Sequence, residues 1–207
     1  VLESNYKSPE LPKVLIKDSE DFINFHAPES LNKKWVVLHV LDNTKINFAR
    51  GADIKNYGLA IDHLIENNFH VFRLGDSSMP ACKKEGLTDL ANIKHESFID
   101  LYLINSAFLM IANQSGPAYA TNLFDTNLLA TNLTDWSTAV TRKKGNFFIN
   151  KVFYNKSDNT RFSVSNLLEQ DFNFQINFDN IDDLDISLEE NSKSEILEAL
   201  RDYLSFY

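Results

Sequence analysis

The sequence predicts an α/β fold in which a parallel β-sheet carries helices on both faces. Three observations lead there. Short apolar runs rich in β-branched residues recur at Trp35–Leu41, His70–Leu74, Phe108–Ala112 and Leu128–Thr131. Between them lie segments whose apolar residues repeat at helical spacing, and turn-forming residues separate the two patterns. Strand and helix thus alternate over about 100 residues, an order that crossover helices and a parallel sheet satisfy.

Residues 1–34 are polar, with prolines at 9, 12 and 28 and one apolar pulse, Val14-Leu15-Ile16. They read as a lead-in segment or interdomain linker, with the main domain over 35–207. The run beginning at Trp35 is too short for a helix and is continuous in apolar character, as in a strand buried on both faces. Asp53 then stands where an N-cap belongs, ahead of Ile54, Tyr57, Ala60, Ile61 and Leu64, which paint one helical face. Asn67-Asn68 ends that helix, and a second strand runs to Gly75, completing a βαβ unit. A loop over 76–95, a helix over about 96–106, a strand at 108–112, a turn at Gln114–Pro117, a short helix to Phe124 and a strand from Leu128 follow. The segments Val36–Val40, Val71–Leu74, Leu109–Ala112 and Leu128–Ala130 are expected to be central and buried in a Rossmann-like sheet. Beyond Asn132 the pattern weakens into a long loop, a strand near Asn146–Val152, a small helix near Ser163–Gln170 and an acidic stretch. Ser192-Lys-Ser-Glu195 has capping-box spacing ahead of Ile196, Leu197, Leu200, Tyr203 and Leu204, so a docked terminal helix is expected.

Composition narrows the function classes. With 207 residues, 43% of them apolar, one compact domain is the expected unit. A net charge of −9 without a sustained basic stripe opposes nucleic-acid binding. The single cysteine, Cys82, excludes an internal disulfide, no Cys/His spacing suits zinc, and a reducing compartment fits. No apolar run approaches the roughly 20 residues that cross a bilayer. Val1–Glu10 carries neither a charged n-region nor an apolar h-region, so no secretory signal and a cytoplasmic location are expected. No GxGxxG follows the first strand, and no Walker or GxSxG motif occurs, which disfavours dehydrogenase, P-loop and α/β-hydrolase chemistry.

Several residues carry a chemical and a plain reading side by side. Ser115-Gly116-Pro117 turns a strand into a helix, where glycine permits close approach and the first N–H groups face a phosphate. The plain alternative is an ordinary helix start, capped by Ser with Pro in the first turn. Arg73 ends a buried strand at the carboxyl edge, where its planar fork suits phosphate oxygens, or it forms a salt bridge with Asp76 or Asp89. Arg50, in the loop between strand and helix, is a phosphate ligand or a solvated charge. His39 is an acid/base group or a hydrogen-bonded core histidine. Lys151 closes an apolar run and reaches a phosphate or lies on the surface. Asp183-Leu-Asp185 imitates a metal-binding Asp-x-Asp, but a solvated charge run is the better explanation.

An ordered set of pieces carries a resemblance: His39-Val-Leu-Asp42, Arg50-Gly-Ala-Asp53-Ile-Lys-Asn-Tyr57, Val71-Phe-Arg73-Leu-Gly75-Asp76, Gln114-Ser115-Gly116 and Thr131-Asn132. Phe148-Ile-Asn-Lys151 with Phe162-Ser163, and Glu190-Asn191-Ser192, complete it. Over roughly residues 35 to 205 this set resembles a bacterial family of glycosyltransferases with a GT-B-like fold, distantly similar to the fucosyltransferase superfamily. The resemblance implies the carboxy-terminal, donor-binding half of such an enzyme. It implies a nucleotide-sugar donor as substrate, a glycan or other acceptor, an amino-terminal acceptor domain outside this chain, and no cofactor or obligatory metal. Arg50, Arg73, Gly75, Ser115, Gly116, Asn132 and Lys151 would surround the donor, with His39 or Asp42 as candidate base. The superfamily carries His-x-Arg at the end of the first strand, and here that arginine position is Leu41. Leu41 is the main support for a second reading, a non-catalytic nucleotide-sugar-binding or interaction domain derived from the same fold.

Overall fold

The protein is described by a computed structural model covering residues 8–42, 49–134, 144–163, 165–166 and 185–207. Six parallel strands form one sheet: β1 (Lys34–His39), β2 (Phe69–Leu74), β3 (Leu87–Asp89), β4 (Leu109–Ala112), β5 (Leu128–Leu133) and β6 (Phe147–Asn150). Their spatial order is β3-β2-β1-β4-β5-β6. The chain therefore steps outward from β1 to β3, returns to the other side of β1 as β4, and steps outward again. The reversal between β1 and β4 is the topological switch point of a doubly wound sheet, where the loops leaving the two carboxyl ends diverge and open a crevice.

Strand residues alternate between two cores, as a side-chain period of two requires. Val36, Leu38, Val71, Leu109, Ile111 and Leu129 face α2 (Gly58–Glu66) and the terminal α5 (Lys193–Phe206). Val37, Phe72, Leu74, Met110, Leu128 and Ala130 face α1 (Lys13–His26), α3 (Ser97–Ser106) and α4 (Gly116–Phe124). The four segments read as central strands are buried in this sheet, with Val36 opposite both Val71 and Leu109. Each such side chain contributes about 1.5–3 kcal/mol by leaving water, which explains why apolar runs locate the strands.

The end signals also hold. Asn68 adopts φ 63° after α2, a left-handed residue that stops the helix. The Ser192 hydroxyl accepts from the Glu195 N–H at 3.3 Å while the Glu195 carboxylate accepts from the Ser192 N–H at 2.8 Å, closing the capping box of α5. Asp53 caps a short 3₁₀ turn, Ile54–Tyr57, which leads directly into α2.

Three local expectations change. Within the residues read as a lead-in, Lys13–His26 form α1, which packs on α3 and buries Ile23, with Ala27 beside it. Its apolar stripe is faint because Ser19 occupies a buried position, made tolerable by a 2.7 Å hydrogen bond from its hydroxyl to the Leu15 carbonyl. The loop over 76–95 contains β3, whose three residues are too few to show periodicity. The strand expected over 146–152 divides at Lys151: β7 (Val152–Asn155) pairs antiparallel with β8 (Ile186–Glu189) in a separate two-stranded sheet. The small helix expected near Ser163–Gln170 falls mostly outside the described residues. Among the described residues no helix is long and apolar enough to cross a membrane.

Candidate functional site

The switch-point crevice is built from the last residue of β1 and the first residues after β4. His39 Nδ1 and Ser115 Oγ lie 2.9 Å apart in a hydrogen bond. Ser115 occupies the N-cap position of α4, yet its side chain makes no capping bond, because its hydroxyl is turned onto His39. The amino end of α4 thus keeps its dipole and lacks the side-chain acceptor that usually sits there. Gly116 is exposed, and a Cβ added there would meet nothing within 4 Å among the described residues. An anion reaching it would meet the Gly116 N–H, since Pro117 has no N–H and the Ala118 N–H donates to the Ser115 carbonyl at 3.1 Å.

Burial pushes the His39 imidazole down to about 4; the Arg73 charge adds to the depression and Asp76 opposes it. The ring is therefore neutral near pH 7, a hydrogen-bonding partner for Ser115 and a weak proton acceptor. Because the folded value lies below the unfolded value of 6.5, the unfolded chain binds the proton more readily. Stability associated with His39 is then complete above pH 6.5 and is lost as pH falls towards 4. Urea midpoints across that range should decline, and His39→Gln should make the decline shallower; equal slopes would contradict the assignment.

Asn113, at the end of β4 and fully buried, joins the crevice to the segment that follows β1. Its Oδ1 accepts from the Leu41 N–H at 2.9 Å, and its Nδ2 donates to the Leu41 carbonyl at 3.0 Å and the Arg50 carbonyl at 2.9 Å. Leu41 and Asp42 are half-buried just beyond β1, which ends at His39, so strand alternation does not extend to Leu41. Arg50 is half-buried beside them. From the end of β6, the Lys151 ammonium donates to the Gly51 carbonyl at 2.7 Å. Burial holds that amine down to about 8, with the Glu190 carboxylate partly offsetting the shift.

Two expected phosphate ligands are engaged within the fold. Arg73 is 1% exposed; its Nη1 donates to the Pro80 carbonyl at 2.7 Å and to both Asp89 oxygens at 3.0 and 3.1 Å. The salt-bridge alternative to Asp89 is the arrangement present, while the Arg73 charge still acts on His39. Asn132 is buried with φ 54° and exchanges backbone-to-amide hydrogen bonds with Asn191 at 2.7 and 2.8 Å. Its Nδ2 donates to the Tyr57 hydroxyl at 3.1 Å, and Tyr57 in turn contacts Thr131 Oγ1 at 2.6 Å. Burial raises that phenol to about 12. Asn132 therefore ties β5 to α5 and the turn before α2.

Gly75 ends β2 where a Cβ would come within 2.5 Å of Met79 Sδ and 3.1 Å of Ala91 Cβ. It lines a cavity of about 410 Å³ with Asp76, Ser77 and the segment Leu90–His95. Ser78 donates through both its N–H and its hydroxyl to Asp76 Oδ1, which fixes the carboxylate. Sequence reading missed Asn113, an asparagine among many with no motif to single it out, and gave Asp76 no site role. Among the described residues no group of three or more His, Cys, Asp or Glu is placed to hold a metal. Asp183 lies outside the described residues and Asp185 is exposed just before β8.

No family model matches the sequence, and no curated protein matches it. Solved structures do. The Escherichia coli ADP-heptose lipopolysaccharide heptosyltransferase II superposes with a TM-score of 0.59 at 11% identity, covering 100% of this chain and 56% of that one. A glycosyl transferase family 9 structure from Veillonella parvula gives 0.58 at 9% identity, covering 96% and 53%. The chain thus spans little more than half the length of either. The shared property at these identities is the fold, and both neighbours belong to the glycosyltransferase class that the motif resemblance implied, as a heptosyltransferase and a family 9 enzyme.

Proposed function

We propose that this chain is the donor-binding half of a glycosyltransferase, taking a nucleoside diphosphate sugar with its diphosphate at the amino end of α4. The observation that carries the reading is the helix end at the switch point, where the Ser115 hydroxyl is turned onto His39 instead of capping α4 and Gly116 is exposed. Breaking a glycosyl–diphosphate bond places about two negative charges on the leaving group, and the Gly116 N–H together with the positive end of the α4 dipole facing that charge would lower the barrier without any obligatory metal. Arg50 is the cation best placed in sequence to join them. The cavity beside β2 suits the nucleoside, since an acidic group at the end of β2 in such sheets accepts from a ribose hydroxyl, and Asp76 stands there with one oxygen held by Ser78. The acceptor, a glycan or similar molecule, and its binding domain would face this cleft from outside the chain. Asp42 or a group on that domain would supply the base, because His39 is a weak one.

A second reading, donor binding without turnover, is favoured by the same residues. Leu41 replaces the resemblance's arginine, and Arg73 is already paired with Asp89, which leaves fewer cationic contacts for a donor than the resemblance implies. Calorimetric titration with ADP, UDP and GDP and their sugars separates the readings. Binding with nucleotide release in the full-length protein supports transfer, binding without release supports the second reading, and no binding defeats both. An arginine restored at the missing position, Leu41→Arg, is expected to tighten nucleotide binding about tenfold at unchanged thermal midpoint, the size of one charge-assisted contact. Unchanged affinity would assign that contact to Arg50.

A further inference from the structure

Residues 49–53, which return the chain from the β1 loop and carry Arg50, are fastened from three directions. Asn113 holds the Arg50 carbonyl from β4. Glu190, just after β8, accepts from the Asp53 N–H at 2.8 Å and from Asn56 Nδ2 at 3.1 Å. Lys151 holds the Gly51 carbonyl from the end of β6 at 2.7 Å. The Ala52 N–H closes the base of the loop onto the Leu41 carbonyl at 2.9 Å.

The use of lysine is the telling feature. A single carbonyl can be satisfied by a backbone N–H or a neutral side chain, whereas a side chain that is 4% exposed and ends in an ammonium costs the fold its desolvation. The depressed affinity of this amine for its proton reflects that cost. A buried cation that holds backbone beside a crevice at a cost to the fold is characteristic of sites rather than of cores.

We infer that Lys151 is a positioning residue, holding the Arg50–Gly51 segment at the mouth of the switch-point crevice so that a nucleoside diphosphate meets a preformed site. This rests on the donor reading above, and it reassigns Lys151 from phosphate ligand to support. A direct ligand would alter affinity without altering the free protein; a purely structural lysine would alter the free protein without altering affinity. A positioning lysine alters both, and a replacement that donates in the same place restores both.

The experiment compares the parent, Lys151→Met and Lys151→Arg by amide hydrogen exchange of the free protein and by titration with ADP, UDP and GDP. In Lys151→Met, exchange at Ala52 and Asp53 should rise about tenfold while Val36–Leu38 and Met110–Ile111 stay protected. Affinity for the nucleotide that the parent binds should fall about tenfold, a misplaced-site effect. Lys151→Arg, which keeps a cationic donor, should recover protection and affinity together. Unchanged affinity in Lys151→Met, or lost affinity with unchanged exchange at Ala52 and Asp53, overturns the inference while leaving the donor reading intact. A parent that binds none of ADP, UDP and GDP overturns the donor reading and this inference with it. Should methionine prevent folding, Lys151→Gln carries the same readouts with the same deciding outcomes.

Discussion

Arg73→Met is expected to lower the unfolding free energy by about 3–5 kcal/mol, the cost of stranding one partner of a buried ion pair. Arg73 and Asp89 are register partners on β2 and β3, and their side chains meet at 3.0 Å with Asp89 only 11% exposed. Methionine fills most of the volume but leaves the Asp89 carboxylate with the Cys82 N–H at 2.7 Å and Asn92 Nδ2 at 3.0 Å, and leaves the Pro80 carbonyl without its donor. The edge strand β3, only three residues long, depends on this link. Urea unfolding measures the loss, and adding Asp89→Asn should recover part of it, because the uncompensated charge is then removed. Nucleotide affinity measured on the folded fraction should change little. A variant as stable as the parent but unable to bind nucleotide would make Arg73 a phosphate ligand after all.

Gly116→Val should have the opposite signature, an affinity loss of about a hundredfold at nearly constant stability. Within the protein, a side chain at 116 has room, and a helix's first turn accepts any residue with ordinary φ. The same branches would project into the space through which a phosphate oxygen must come to within hydrogen-bond distance of the Gly116 N–H. Calorimetry reads the affinity and a thermal scan excludes a damaged fold. Equal nucleotide binding by parent and variant would mean that the anion, if bound, sits elsewhere.

The sheet was legible because buried parallel strands are written as continuous apolar runs, and four of the six carried such runs. β3 has too few residues to form a pattern, and β8 follows an acidic stretch whose composition reads as solvated. α1 escaped because Ser19 and neighbouring charges dilute its apolar stripe; the hydroxyl bond to Leu15 that makes Ser19 compatible with burial is a three-dimensional fact. The site was legible as a place rather than as a set of roles. Ser115-Gly116 marks a strand-to-helix turn in any sequence, but the rotation of Ser115 away from the helix depends on His39, which lies 76 residues earlier. Arg73 illustrates the limit: its position at the carboxyl edge of the sheet was readable, while the choice between phosphate and Asp89 was made by strand register. Lys151 and Asn132 likewise look like surface or ligand-facing polar residues until the loops that bury them are in place.

The donor site at α4 is tested most directly by following backbone amide shifts while ADP or UDP is titrated into the protein. The largest changes are expected at Gly116 and Ala118, with Ser115 and the His39 ring responding through their shared hydrogen bond, and smaller changes at Gly75–Ser77 and His95 along the cavity beside β2. Changes confined to Lys151–Phe153 and the first turns of α5, which line a separate cavity of about 400 Å³, would contradict the site. So would saturable binding that leaves Gly116 unmoved.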